Sequence, residues 1–219
     1  MSSTTVHLVR HGEVHNPEGI LYGRLPGYRL SERGEAMARR LAEHFASPAD
    51  DGAPRDVALV MASPLERAQQ TATPVAEALG LELGADERLI EAGNYFQGMT
   101  FGVGDGSLRY PRHWPRLWNP WRPSWGEPYR EQVARMMAAV HAARARAEGH
   151  EAVLVSHQLP IWITRLAAEK RPFIHDPRKR QCSLASVTSL HFEGDRLARV
   201  SYSEPARDLL PDAKQVPGA

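Results

Sequence analysis

Val6-His7-Leu8-Val9-Arg10-His11-Gly12-Glu13 is a short apolar run, rich in β-branched residues, that ends abruptly in arginine, histidine and glycine. Asn16, Pro17 and Gly19 follow as turn formers, so the pattern predicts a buried strand running into a loop. Arg10 and His11 side by side at a strand end can point into one site, and Gly12, lacking a Cβ, would let a ligand approach the backbone closely. Taken alone, the same residues also read as ordinary polar groups leaving a strand. What decides between these readings is where the other histidines and arginines fall.

Outward from that stretch, the loop over residues 13–30 carries His15, Asn16, Tyr22, Gly23 and Arg24 as candidate site residues. Ser31 is placed to cap a helix whose Met37, Leu41 and Phe45 share one face. Val57 to Met61 is a second continuous apolar run, the mark of a strand buried on both faces. In Ser63-Pro64-Leu65-Glu66-Arg67-Ala68-Gln69-Gln70-Thr71-Ala72, serine at N-cap, proline at N1 and glutamate at N3 predict a capping box. Arg67 then lies in the first turn, beside the partly positive helix end that favours a phosphate, although a solvated helix arginine fits that segment equally well. Leu81–Leu83 is expected as a short strand, and Pro128 to open a long helix bearing Val133, Met136, Val140 and Ala147. Ala152 to Val155 reads as a third buried strand closed by Ser156-His157, with a helix over Pro160–Ala168 behind it. Two strands over 187–192 and 196–202 flank Glu193-Gly194-Asp195 as a hairpin, and the last fifteen residues read as a tail.

Composition narrows the function classes. The 219 residues carry 27 basic and 26 acidic side chains, so no global field favours nucleic acid or an anionic membrane. The single cysteine, Cys182, excludes an internal disulfide framework and fits a reducing compartment. No apolar run reaches membrane-spanning length. A soluble cytoplasmic protein is expected, with a small molecule rather than nucleic acid or membrane as partner. A homodimer is compatible with this expectation. His7, His44, His113, His141, His150, His175 and His191 are scattered singly, and no set has metal-ligand spacing.

Residues 99–126 hold Trp114, Trp118, Trp121 and Trp125 amid prolines and glycines, with no regular period. An irregular stretch of that length inside a domain is usually functional. It is expected as a lid over the phosphate pocket whose four tryptophans fold down onto the domain, with Arg112, Arg116 and Arg122 able to meet a second anionic group; the alternative reading is that the tryptophans only plug a gap in the outer core.

Strands alternating with helices imply a three-layer α/β/α sandwich with a largely parallel sheet, which binds ligands beyond the strands' carboxyl ends. Arg10-His11, Ser63 to Arg67 and Ser156-His157 all lie at such ends. Two arginines and two histidines converging there suit a dianion, with phosphate the obvious candidate. At about 4 Å and an effective dielectric near 20, each unit charge pair is worth roughly 4 kcal/mol before desolvation.

These three motifs, in this order, resemble the histidine phosphatase superfamily and its phosphoglycerate mutase-like fold, and Leu89-Ile90-Glu91 fits that family's acid-bearing segment. The likeness runs over roughly residues 5–200, and it implies one such domain across 1–219 with the 99–126 excursion as an insertion. It implies that His11 is the nucleophile, that Arg10, Arg67 and His157 hold the phosphoryl oxygens, and that Glu91 is the general acid and base. Asn16, Tyr22, Gly23, Arg24 and Gln158 are its further candidates for substrate contact. The implied activity is metal-independent hydrolysis of small phosphate monoesters, with no cofactor. The alternatives are mutase-type phosphoryl transfer and a non-catalytic phosphate-binding relative. Three departures from the family pattern stand out: Gln158 replaces the glycine after the second histidine, Asn16 precedes the usual asparagine position by one residue, and Glu91 to Gly98 is one residue short.

Overall fold

A computed structural model describes residues 2–49, 52–100, 106, 109–118, 125–176 and 179–211. In chain order the main elements are β1 (Ser3–Arg10), α1 (Glu32–Ala46), β2 (Val57–Ala62), α2 (Glu66–Leu79), β3 (Leu83–Ala85), α3 (Tyr129–Arg146), β4 (Glu151–Ser156), α4 (Gln158–Ala168), β5 (Val187–Glu193) and β6 (Arg196–Ser203). The strands form one sheet in the order β3-β2-β4-β1-β5-β6. The first four run parallel, whereas β5 and β6 join antiparallel as the expected hairpin.

The alternation along β1 explains the three layers. Val6 and Leu8 pack with Leu154 and Leu190 against Met136, Val140 and Ile161 of α3 and α4. Val9, one residue out of phase, faces Met37, Leu41, Phe45, Ala72 and Val75 of α1 and α2 on the other side. Helices therefore cover both faces of the sheet.

Register then positions the site. Arg10 pairs with Ser156 and Ala62 with Val155, so the three parallel strands end level with one another. The backbone amide of His11 donates to the Ser156 carbonyl at 3.2 Å, and that of Ser63 donates to the Val155 carbonyl at 2.9 Å.

Several local expectations shift. Ser31 caps α1 as expected, accepting from Gly34 N. The capping box at Ser63 does not form, because α2 begins at Glu66 with Leu65 at its N-cap and no side-chain cap. β3 lies at Leu83–Ala85 rather than 81–83, drawn there by pairing with Val60 to Ala62. The expected tail is packed over its described part, with Arg207–Leu209 forming a 3-10 turn. Ala206 is buried there against the α1–α2 side, while residues 212–219 lie outside the described residues. No helix among the described residues is long and apolar enough to cross a membrane.

Candidate active site

His11 leaves β1 fully buried. Its Nδ1 lies 2.8 Å from the Gly12 carbonyl, which can only accept, so Nδ1 carries the proton and Nε2 keeps its lone pair. Nε2 is buried and has no hydrogen-bond partner among the described residues. His157, at the level end of β4, sets its ring 5.2 Å from that of His11, edge on. Its Nε2 is 2.8 Å from Ser63 Oγ, and its Nδ1 is buried without a hydrogen-bond partner among the described residues. The Ser63 hydroxyl thus meets His157 and also accepts from Leu65 N at 3.4 Å, and it lies outside the cap position because α2 begins at Glu66 with Leu65 at its N-cap.

Arg10 and Arg67 are both buried. Arg10 Nη1 donates to the Cys182 carbonyl at 2.7 Å, and Arg67 Nη2 to the Gly23 carbonyl at 2.6 Å. The Arg67 guanidinium lies over the Tyr22 ring, 4.7 Å from its centroid, and its Nε has no partner among the described residues. Thr71 Oγ1 fastens this corner, donating to the Arg67 carbonyl and accepting from Gly12 N.

Burial, reinforced by Arg67 and Arg10, holds His11 well below the usual histidine value, opposed by the bond to Gly12. Burial also holds His157 well below it, with Arg67 and then His11 adding to the effect. The pocket therefore sets imidazoles that resist protonation beside two buried guanidinium groups.

Glu91 belongs to the same pocket. Ser156 Oγ donates to the Leu89 carbonyl at 2.7 Å, tying the acid segment to the end of β4. Burial raises Glu91 above the ordinary carboxylate value, against the Ala92 amide and the fields of Arg67, Arg135 and Arg10. The Ala92 amide donates to Glu91 Oε1 at 2.7 Å.

The remaining candidates divide. Tyr22 is buried, with its ring 6.4 Å from His11, and Gly23 contributes its carbonyl to Arg67. Asn16 is occupied with its own loop, since Oδ1 accepts from Ile20 N and Nδ2 donates to the Ile20 carbonyl. Arg24 acts as a strut, donating from Nε to the Glu91 carbonyl at 2.6 Å and from Nη2 to Glu127 at 3.0 Å. Gln158 opens α4 and accepts from Arg180 Nη1 at 3.2 Å. His15 is exposed. Gly12 serves helix packing rather than ligand approach, because a Cβ there would lie 2.6 Å from the Gly34 carbonyl of α1.

The 99–126 excursion is pinned at its base. Leu21 N donates to the Met99 carbonyl, Tyr95 N to the Trp125 carbonyl, and Glu127 N to the Gly93 carbonyl. His113 is its buried anchor, packed on Phe96 and Tyr95. The expected burial of the tryptophans fails at Trp114 and Trp118, which are 56% and 73% exposed. Trp125 is partly buried, while Trp121 and Arg122 lie outside the described residues.

Ser63, Ser156, Arg135 and Arg180 are not among the site residues read from the sequence. Ser63 and Ser156 lie within the motifs, but a serine's partner has no sequence signal. Arg180 follows two basic residues, a pattern that ordinarily marks a solvated surface.

A model of the histidine phosphatase superfamily (branch 1) matches residues 6–205. The uncharacterized protein Rv0525 of Mycobacterium tuberculosis is 56% identical over 203 residues, covering 93% of this chain and 97% of that protein. Phosphoserine phosphatase 1 of Hydrogenobacter thermophilus is 32% identical over 160 residues, covering 70% of this chain and 71% of that enzyme. Among solved structures, the mycobacterial glucosyl-3-phosphoglycerate phosphatase Rv2419c superposes with a TM-score of 0.69 at 25% identity, over 92% of this chain and 98% of that one.

Proposed function

The chain belongs to the histidine phosphatase superfamily, and we propose that it hydrolyses phosphate monoesters of small metabolites through a phosphohistidine on His11. The observation that carries this reading is His11 itself, with its proton fixed on Nδ1 by Gly12 and its bare Nε2 facing the pocket.

In this reading the Nε2 lone pair attacks phosphorus as the ester P–O bond breaks. Arg10, Arg67 and Nδ1–H of His157 hold the non-bridging oxygens, with the Ser63 hydroxyl donating to His157 Nε2 to fix that tautomer. Glu91, whose proton affinity burial raises, gives its proton to the leaving alkoxide. Its carboxylate then takes a proton from water as that water attacks phosphorus, the P–N bond breaks, and phosphate leaves with His11 neutral again. The guanidiniums supply the positive charge, so turnover is expected to survive excess EDTA.

The test is a rapid quench with a phosphorus-labelled monoester. An acid-labile, alkali-stable label is expected on the wild type and absent from His11→Ala, together with loss of turnover. Undiminished turnover in His11→Ala would overturn the proposal.

A further inference from the structure

We propose that Arg180 is a second anion-recognition point of this pocket, taking a carboxylate that the substrate carries beside its phosphate ester. The proposal rests on the phosphatase reading above.

The loop bearing Arg180 lies against the nucleophile. Arg10 N donates to the Ser186 carbonyl at 3.0 Å, Ala185 N to the His11 carbonyl at 3.3 Å, and Arg10 Nη1 to the Cys182 carbonyl at 2.7 Å. Ala185 adopts a left-handed φ of 52° in making this passage, a conformation that costs free energy for a residue with a Cβ. Two residues before Cys182, Arg180 turns back toward α4. Its Nε donates to His175 Nε2 at 2.9 Å and its Nη1 to Gln158 Oε1 at 3.2 Å. Gln158 is the residue directly after His157, so the guanidinium is fixed to the same turn that presents the phosphate-binding histidine.

What the guanidinium lacks is a counter-ion. Arg24 and Arg135 pair with Glu127, Arg88 with Asp86, and Arg165 with Glu169. Among the described residues Arg180 has no carboxylate within ion-pair distance, and no hydrogen bond is made by its Nη2. Arg180 is partly buried, so its guanidinium is held at the pocket with one edge open to an anion. Burial lowers its proton affinity, while Tyr129 and Glu91 on one side and Arg10 on the other act on it, which places its charge in the field of the catalytic groups. His175 is itself held, its ring 6.0 Å from Trp162 and 6.1 Å from Tyr129, so Arg180 is oriented before any ligand arrives.

A carboxylate suits this point better than a second phosphate. Arg10, Arg67 and His157 are grouped around His11 for one dianion, whereas Arg180 stands apart as a single positive charge with Nε and Nη1 already engaged. That leaves one hydrogen-bonding edge for a monoanion. Gln158, where the family ordinarily has glycine, thereby acquires a purpose: it holds Arg180 at the pocket.

The experiment compares matched substrates that differ in the carboxylate, 3-phosphoglycerate against glycerol 3-phosphate, and phosphoserine against phosphoethanolamine. The wild type is expected to favour the carboxylated member of each pair in kcat/KM. Arg180→Met should shrink that preference about tenfold or more, mainly through KM, with Arg180→Lys retaining part of it. Gln158→Ala, which frees Arg180 without removing its charge, should shift the ratio the same way by less. The extra thermal stabilisation given by 3-phosphoglycerate over glycerol 3-phosphate reads the same contact without turnover. A wild type with no preference, or a ratio equal in wild type and Arg180→Met, overturns the proposal. Failure of the wild type on every monoester, nitrophenyl phosphate included, would instead sink the phosphatase reading and leave the binding comparison to decide Arg180.

Discussion

Ser63 Oγ lies 2.8 Å from His157 Nε2 and joins the ends of β2 and β4 across the floor of the pocket. Both residues are fully buried, so the bond is dry, and the other ring nitrogen is left buried with no hydrogen-bond partner among the described residues. Removing one partner of a buried hydrogen bond costs about 1–3 kcal/mol. Ser63→Ala is therefore expected to lower kcat/KM by roughly ten- to a hundredfold, while Ser63→Thr, which keeps the hydroxyl, retains most activity. Equal losses in the two variants would show that volume rather than the hydrogen bond matters at this position.

Glu91 is the second test. Its raised proton affinity comes first from burial, which favours the protonated form that the first step needs, and that competence is lost as pH rises. With an alkyl phosphate, Glu91→Gln should fall by about 10² to 10⁴-fold and lose the alkaline limb of the rate profile. Nitrophenyl phosphate, whose leaving group needs no proton, should suffer much less in its first step. An equal loss on both substrates would reassign Glu91 to binding or structure.

His11 and His157 make stability depend on pH. Burial holds both well below the usual value of 6.5, so the unfolded chain takes up protons that the folded chain refuses. Stability is then whole above about pH 7 and declines as pH falls below 6.5, by up to on the order of 1.4 kcal/mol per pH unit for each histidine. Glu91, raised in the fold, works in the opposite direction and favours the folded state at lower pH. Melting temperatures between pH 7.5 and 5.5 should fall for the wild type and fall less steeply for His157→Gln. A parallel slope in that variant would refute the assignment.

Gly12→Ala tests why glycine follows the nucleophile. The added Cβ would meet the Gly34 carbonyl at 2.6 Å, and both sides of that contact are backbone. Overpacking of this kind typically costs about 1–3 kcal/mol, visible as a lower urea midpoint. Normal stability with lost phosphate affinity would return the glycine to the ligand-approach role.

The 99–126 excursion remains our proposed lid, pinned next to Glu91 through Gly93 and next to Tyr22 through Leu21. Since Trp118 is 73% exposed, replacing it by alanine should change stability by no more than about 0.5 kcal/mol. The ranking of natural substrates should change while nitrophenyl phosphate is affected little. A collapsed melting temperature with an unaltered ranking would mean that the segment is core.

Much of the fold and half of the pocket were legible in the sequence. The apolar runs at Val6–Val9, Val57–Met61 and Ala152–Val155 each carry the pattern of a strand covered on both faces, and the spacing of Met37, Leu41 and Phe45 marks α1. Such patterns are local, repeating within a few residues, so composition and periodicity suffice to find them. Arg10, His11, Arg67 and His157 followed because each directly trails or closely follows such a run.

Tertiary structure alone decided what each polar side chain does. Ser63 was expected to cap its own helix, and its partner lies ninety-four residues away. Gly12 was expected to admit a ligand, but the backbone of α1 fills that space. Asn16, among the candidate site residues, turns inward to Ile20, and Trp114 is 56% exposed while the neighbouring His113 is buried. A periodic pattern fixes which face of an element is buried, because burial depends on the average environment of that face. A hydrogen bond is fixed by one atom meeting another, and that meeting exists only once the strand register has brought distant segments level.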